Sequence, residues 1–123
     1  MLLDNNIPLP ILEAVQQTEI GYVVASDPRL EQIDTLLPND GNEYFLLQEA
    51  MQELGDFEYV IIDTSTTNNK LLKNCLIAAD KVIIPFYPDR YTMMGLSGFC
   101  KTVASIKRRN NPKLEIAGVL LVK

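Results

Sequence analysis

The chain has 123 residues, 47% of them hydrophobic and 22% charged, with a net charge of −5. That is the size of one domain, and a chain so apolar and so weakly charged can bury a core, which excludes disordered and low-complexity classes. The longest apolar runs, Val82 to Phe86 and Ala117 to Val122, fall far short of the roughly 18 residues of a membrane span, and Met1 to Asn6 carry no basic n-region or small-residue cleavage site.

Pro10 to Thr18 is predicted helical, with Ile11, Leu12 and Val15 inward. Ile20 to Ala25 is a β-branched run closed by Ser26-Asp27-Pro28, the pattern of a strand and turn. After Asn39-Asp40-Gly41, the stretch Asn42 to Leu54 puts Phe45, Leu46, Ala50 and Leu54 on one helical stripe, with Asn42 as the expected N-cap and Gly55 as the stop. Phe57 to Asp63 is the second predicted strand. Its unbroken apolar run, Tyr59 to Ile62, predicts burial on both faces, as in a central parallel strand. Asn68 to Ala79 follows as a helix with Leu71, Leu72, Cys75, Leu76 and Ala79 inward, then a third strand, Lys81 to Pro85. Thr92 is the expected cap of a long helix whose stripe runs Leu96, Phe99, Cys100, Val103 and Ile106 and stops at Asn110-Asn111-Pro112. Ile116 to Val122 is the fourth strand. The alternation predicts one α/β domain over 1–123, a parallel sheet flanked by helices and joined by right-handed crossovers.

The chain contains no histidine, and Cys75 and Cys100 stand without CxxC spacing. A zinc site of Cys and His and any imidazole triad are therefore excluded. Both cysteines fall on apolar stripes and are read as buried small hydrophobes in a reducing, cytoplasmic setting. Charge is unevenly spread: residues 1–62 carry −11 and residues 63–123 carry +6. The late basic cluster Lys101, Lys107, Arg108, Arg109 and Lys113 suits nucleic-acid phosphates, while cations closing a helix also complement its dipole.

Ligands of open parallel sheets sit beyond the carboxyl ends of the strands. Asp63, directly after four apolar residues, has the form of an acid that holds magnesium, usually through water, beside nucleotide phosphates. The plainer reading is that Asp63 and Thr64 to Thr67 satisfy a turn and cap the next helix. No GxxxxGK[ST] or GxGxxG phosphate cradle occurs in the chain. Gly95-Leu96-Ser97-Gly98 falls inside a predicted helix and reads as close helix packing.

Together these segments resemble a family. Tyr59-Val60-Ile61-Ile62-Asp63-Thr64, Ala78-Ala79-Asp80-Lys81-Val82-Ile83-Ile84-Pro85, Pro88-Asp89 with Gly95-Leu96, and Ile116-Ala117-Gly118-Val119 are similar, in order and spacing, to the second half of ParA/MinD-type deviant Walker ATPases. Leu2-Leu3-Asp4, Ile11 to Thr18 and Tyr22 to Leu30 are similar to that family's intermediate region. The resemblance implies a partial P-loop NTPase fold from a protein that binds ATP and magnesium, dimerises with ATP, binds DNA non-specifically and answers to a partner partition protein. It places Asp63 on the Walker B acid, with water-mediated magnesium, and Thr64 and Asp89 beside the nucleotide. The family's two prolines after the Asp-Thr pair are replaced by Ser65 and Thr66, and its Walker A segment has no counterpart here.

The expectation is therefore a ParA-like fragment or remnant that forms homo-oligomers, touches no membrane and does not hydrolyse ATP by itself. Two other classes stand beside it. One is a non-catalytic α/β interaction module with exposed sheet edges. The other is a receiver-like signalling domain using Asp63 and Lys123, for which Asp27 is the one acid after the first strand.

Overall fold

The computed structural model describes residues 10–123. Leu2-Leu3-Asp4 lies outside the described residues. The chain forms, in order, strands β1 (Gln16–Thr18) and β2 (Gly21–Val23), helices α1 (Ile33–Leu36), α2 (Leu46–Met51) and α3 (Lys70–Ala78), strand β3 (Lys81–Phe86), helix α4 (Arg90–Arg109) and strand β4 (Glu115–Leu121). Three 3-10 turns, Ile11–Ala14, Pro28–Gln32 and Gln52–Leu54, complete it.

The core lies where α3, α4 and β3 meet. Leu72, Leu76 and Ile77 of α3 pack on Val103 and Ile106 of α4 and on Leu114, with Tyr44, Phe45, Ala79, Val82 and Phe99 around them. The helical spacing of these apolar residues is what aims them at one another. Asn69 caps α3, its side-chain oxygen accepting from the Leu72 amide at 2.9 Å. At the far end of α3, the Asn111 side-chain amide donates to the carbonyls of Leu76, Ile77 and Ala79 at 3.0, 3.1 and 2.7 Å. One residue of the turn after α4 thus satisfies the orphan carbonyls of another helix. Lys107 Nζ donates to the Leu114 carbonyl at 2.6 Å and closes the same turn.

β3 and β4 pair in parallel across the α4 crossover, with Lys81 opposite Glu115 and Phe86 opposite Leu121, and a register shift between Val82 and Ile83. Ala117 is the extra residue there, and the shift bends the ladder as a bulge does. The parallel sheet has two strands among the described residues, fewer than the sequence reading expects. Among the described residues Phe57–Asp63 belongs to no ladder. Tyr59 and Ile61 are 81% and 94% exposed, the opposite of a strand buried on both faces. The physical reason is pairing: an apolar run becomes a central strand only when neighbours take up its amides and carbonyls, and none of the described residues does so.

The N-terminal third departs further from expectation. Residues 10–18 do not form a helix: the 3-10 turn ends at Ala14 and the chain then extends into β1. β1 pairs with β2 as an antiparallel hairpin, Gln17 facing Tyr22, so the predicted strand of Ile20 to Ala25 shrinks to three residues outside the parallel sheet. Tyr22 stacks edge-on against Phe57 at 5.3 Å, and the Ile11 amide donates to a Glu53 carboxylate oxygen at 2.8 Å. Asn42 does not cap α2, which begins after Phe45 without a side-chain cap. Gly41 turns the chain just before, at φ +89, where a side chain would be strained. Lys70 ties α1 to α3, its ammonium donating to the Asp34 and Leu37 carbonyls and to Asn39 Oδ1.

Candidate functional site

The carboxyl end of β3 leads through Tyr87-Pro88 to Asp89. Pro88 keeps the preceding backbone extended, and Asp89 then accepts the Thr92 amide on Oδ1 at 2.7 Å. Asp89, and not Thr92, is therefore the N-cap of α4. That amide is the chief reason the Asp89 carboxyl is held below its ordinary value, with the Thr92 side chain and the Tyr91 amide adding to it. A negative charge here also meets the positive end of a 20-residue helix.

Asp63 stands exposed in the unpaired segment, and Thr64 beside it is half-buried. The Thr64 hydroxyl donates to the Ser65 carbonyl at 3.3 Å. Burial pushes the Cys75 thiol up, and the Thr64 side chain partly offsets it. Asp89 belongs to the start of α4. No hydrogen bond joins Asp63, Thr64 and Asp89 among the described residues. Nor do the described residues contain a group of three His, Cys, Asp or Glu able to hold a metal ion. What the segment offers magnesium is one free carboxylate, which fits a water-mediated role and not an all-protein cage.

The basic cluster separates on inspection. Lys107, Arg108 and Arg109 form the last turn of α4, but the Lys107 ammonium is engaged by Leu114. Arg108, Arg109 and Lys113 are exposed, and Lys101 lies farther up the helix. Gly95 and Gly98 also lie in α4, yet nothing comes within 4 Å of where their Cβ atoms would be. The packing expected of them is not made here; that stretch of α4 is open, with Tyr91 and Met94 at 86% and 72% exposure beside it. Cys75 is buried as expected, whereas Cys100 is only half-buried. Asp27 is engaged by Arg29, Nε to Oδ1 at 3.0 Å and Nη2 to Oδ2 at 3.0 Å, and caps the following 3-10 turn. It therefore serves local structure, which removes the acid that the receiver-like reading assigns to magnesium.

Two polar residues that sequence reasoning missed hold this region together. Asn111 has been described; Asn74 is the other, buried in α3, donating to the Glu43 and Lys70 carbonyls and accepting the Leu47 amide. The available signal was an asparagine one turn after the inward Leu71.

A family model described as AAA domain matches residues 2–116. The chromosome partitioning protein ParA of Myxococcus xanthus is 36% identical over 115 residues, covering 91% of this chain and 41% of that protein. The chromosome partitioning protein ParA of Caulobacter vibrioides is 29% identical over 117 residues, covering 91% and 44%. Among solved structures, cobyrinic acid a,c-diamide synthase from Mycobacterium smegmatis with bound ADP and magnesium matches with a TM-score of 0.83 at 27% identity, over 92% of this chain and 47% of that one. A plasmid partition protein from Borrelia burgdorferi matches with a TM-score of 0.70 at 23% identity, over 91% and 47%, a likeness of fold. The chain spans less than half the length of each of these proteins.

Proposed function

The chain belongs to the AAA domain family and is ParA-like within it, and from that premise we propose that it is the middle and later part of a partitioning ATPase domain whose phosphate-binding strand is supplied by other sequence. The observation that carries this reading is the unpaired run Tyr59 to Ile62. It is a strand in composition, yet among the described residues it has no ladder. A sheet lacking one interior strand leaves its neighbour in this state.

The exposed surface supports the same reading. A folded protein of 13.8 kDa should expose about 6,600 Å², against the 9465 Å² found here. Residues 1–9, outside the description, can account for roughly 1,500 Å² of that at most. More than about 1,000 Å² is left over, beyond the ~800 Å² each partner gives to an ordinary interface. Ile61, Ile83, Val119, Leu120 and Leu121, all at least half exposed, supply much of it. We expect homo-oligomers of the isolated chain in light scattering; a monodisperse monomer at high concentration would contradict this.

In the longer protein, Asp63 would take the Walker B place, ordering the water shell of magnesium beside the nucleotide phosphates, and Asp89 would set the loop at the start of α4. The metal supplies charge neutralisation on the phosphates when bound. No phosphate-loop motif occurs in this sequence, so the chain is expected neither to bind Mg-ATP tightly nor to turn it over. Calorimetric titration of the isolated chain tests this: micromolar binding would overturn the proposal. Arg108, Arg109 and Lys113 remain exposed and would contact DNA phosphates without reading bases. Replacing Arg108 and Arg109 by alanine in the longer protein should weaken duplex binding equally on all sequences and lower the salt slope by about one per contact; an unchanged slope would place the DNA surface elsewhere.

A further inference from the structure

Between α3 and α4 lies a shallow hollow of about 270 Å³ lined by Asn68, Lys73, Lys101, Thr102, Ser105 and Ile106. The residues come from two elements roughly thirty positions apart in sequence. All but Ile106 are polar. A hollow below the ~300 Å³ at which organic ligand pockets begin suits a small, strongly hydrated group. Its lining names the charge of that group: two lysines, an asparagine, a threonine and a serine contribute to it along their stems and heads, and no carboxylate does.

Three further observations bear on it. Neither lysine has a carboxylate within 4.0 Å among the described residues, where the ion pair found is Arg29 with Asp27. Lys73 Nζ sits 5.2 Å from the centre of the Tyr44 ring, a contact that restrains the side chain while leaving its protons to bind elsewhere. Asn68 directly precedes the Asn69 cap of α3, so the hollow lies beside the start of that helix, whose Lys70 and Leu72 amides are already taken by Asp34 and Asn69. Thr102 has already given its proton to the Gly98 carbonyl at 3.2 Å, which leaves Lys73, Lys101, Asn68 and Ser105 as the donors.

The geometry points to an oxyanion site of the phosphate class at this hollow, with Lys73 and Lys101 as the two charged arms. A phosphate group offers oxygens to several donors at once, and each charge-assisted bond is shorter and stronger than a neutral one. The group can come from a nucleic-acid backbone or from a free phosphate. The site does not depend on nucleotide binding at Asp63 and stands if the ATPase reading fails.

The test is an amide-resolved NMR titration of the full 123-residue chain with sodium phosphate, against sodium chloride at equal ionic strength, and in a second arm with a short DNA duplex. Saturating shifts at Asn68 to Lys73 and at Lys101 to Ile106, at millimolar phosphate, support the site. The same amides moving with duplex identify the backbone as the source; movement with phosphate alone identifies a free phosphate. Lys101→Gln, an exposed change that leaves the core untouched, should weaken the effect about tenfold, the loss of one charge-assisted bond, and Lys73→Gln likewise. Shifts no larger than those with chloride, or shifts that both substitutions leave unchanged, would overturn the proposal.

Discussion

β3 and the segment Phe57–Asp63 are near twins in composition and opposites in fate. Each carries a run of aliphatic residues after a helix. Ile84 of β3 is 6% exposed, while Ile61 is 94% exposed. β3 succeeds because its partner lies one crossover away: α4 packs on α3, the turn at Asn111 locks that packing, and β4 emerges alongside. The earlier run has no such neighbour within reach. Strand character is therefore a request for a partner, and whether it is met depends on sequence elsewhere.

The largest test of this contrast is in the core. Leu72 is 1% exposed, and Leu72→Ala should cost about 2–5 kcal/mol through lost contacts and a cavity. Ile61→Ala should stay within about 0.5 kcal/mol, as for other surface changes. Urea unfolding followed by circular dichroism at low protein concentration measures both; equal costs would mean that Ile61 is buried in solution.

Next in size is Asn111→Ala, which strips three helix-end carbonyls of their donor. Since Asn111 is only half-buried and water can replace part of the bond, a loss of about 1–3 kcal/mol is expected. Hydrogen exchange should show it as faster exchange in α3 and β3 with residues 57–69 unaffected.

A smaller effect of opposite sign would separate this chain from a longer protein that contained it. Gly98 sits in α4 with open space where a Cβ would be, so Gly98→Ala should stabilise this chain by up to about 1 kcal/mol through helix propensity. In a longer protein that covers this stretch of α4, the gain should vanish or reverse.

The smallest is the pH response of the α4 cap. The Asp89 carboxyl titrates below its ordinary value in the folded chain, so the unfolded chain binds the proton more readily. Its stabilising effect is complete above the ordinary carboxylate range near pH 4 and is lost as pH falls through the lower, folded value. Asp89→Asn keeps a cap and removes that pH dependence, which thermal melts between about pH 5 and pH 3 would reveal as a flatter Tm profile.

The sequence reads well where both halves of a contact lie in the chain. β3 and β4 fall within a residue of expectation and α3 within two because their stripes meet one another, while α4 starts three residues earlier than its expected cap allows. Leu114, fully buried, was missed because a lone leucine between Lys113 and Glu115 has no period. The β1–β2 hairpin was missed because Gln16-Gln17-Thr18 lacks the apolar alternation that marks a strand. Thr92 and Asp89 are both capping residues three apart, and only the extended backbone at Asp89 decides between them. For the proposed site, the acids Asp63 and Asp89 were legible as residues following apolar runs, though nothing described joins them. The Lys73 and Lys101 hollow was not, since the two lysines meet only through the packing of two helices.

The acids at the ends of the unpaired run have a consequence of their own. Tyr59 to Ile62 is short, β-prone and free of proline, the profile of a segment that stacks into fibrils. Glu58 and Asp63 bracket it. Stacking in register would line up these carboxylates about 4.8 Å apart along each edge, a repulsion that charged gatekeepers exert in many sequences and that salt or acid weakens. The carboxylate proposed to face a metal ion thus also guards this run against ordered self-assembly.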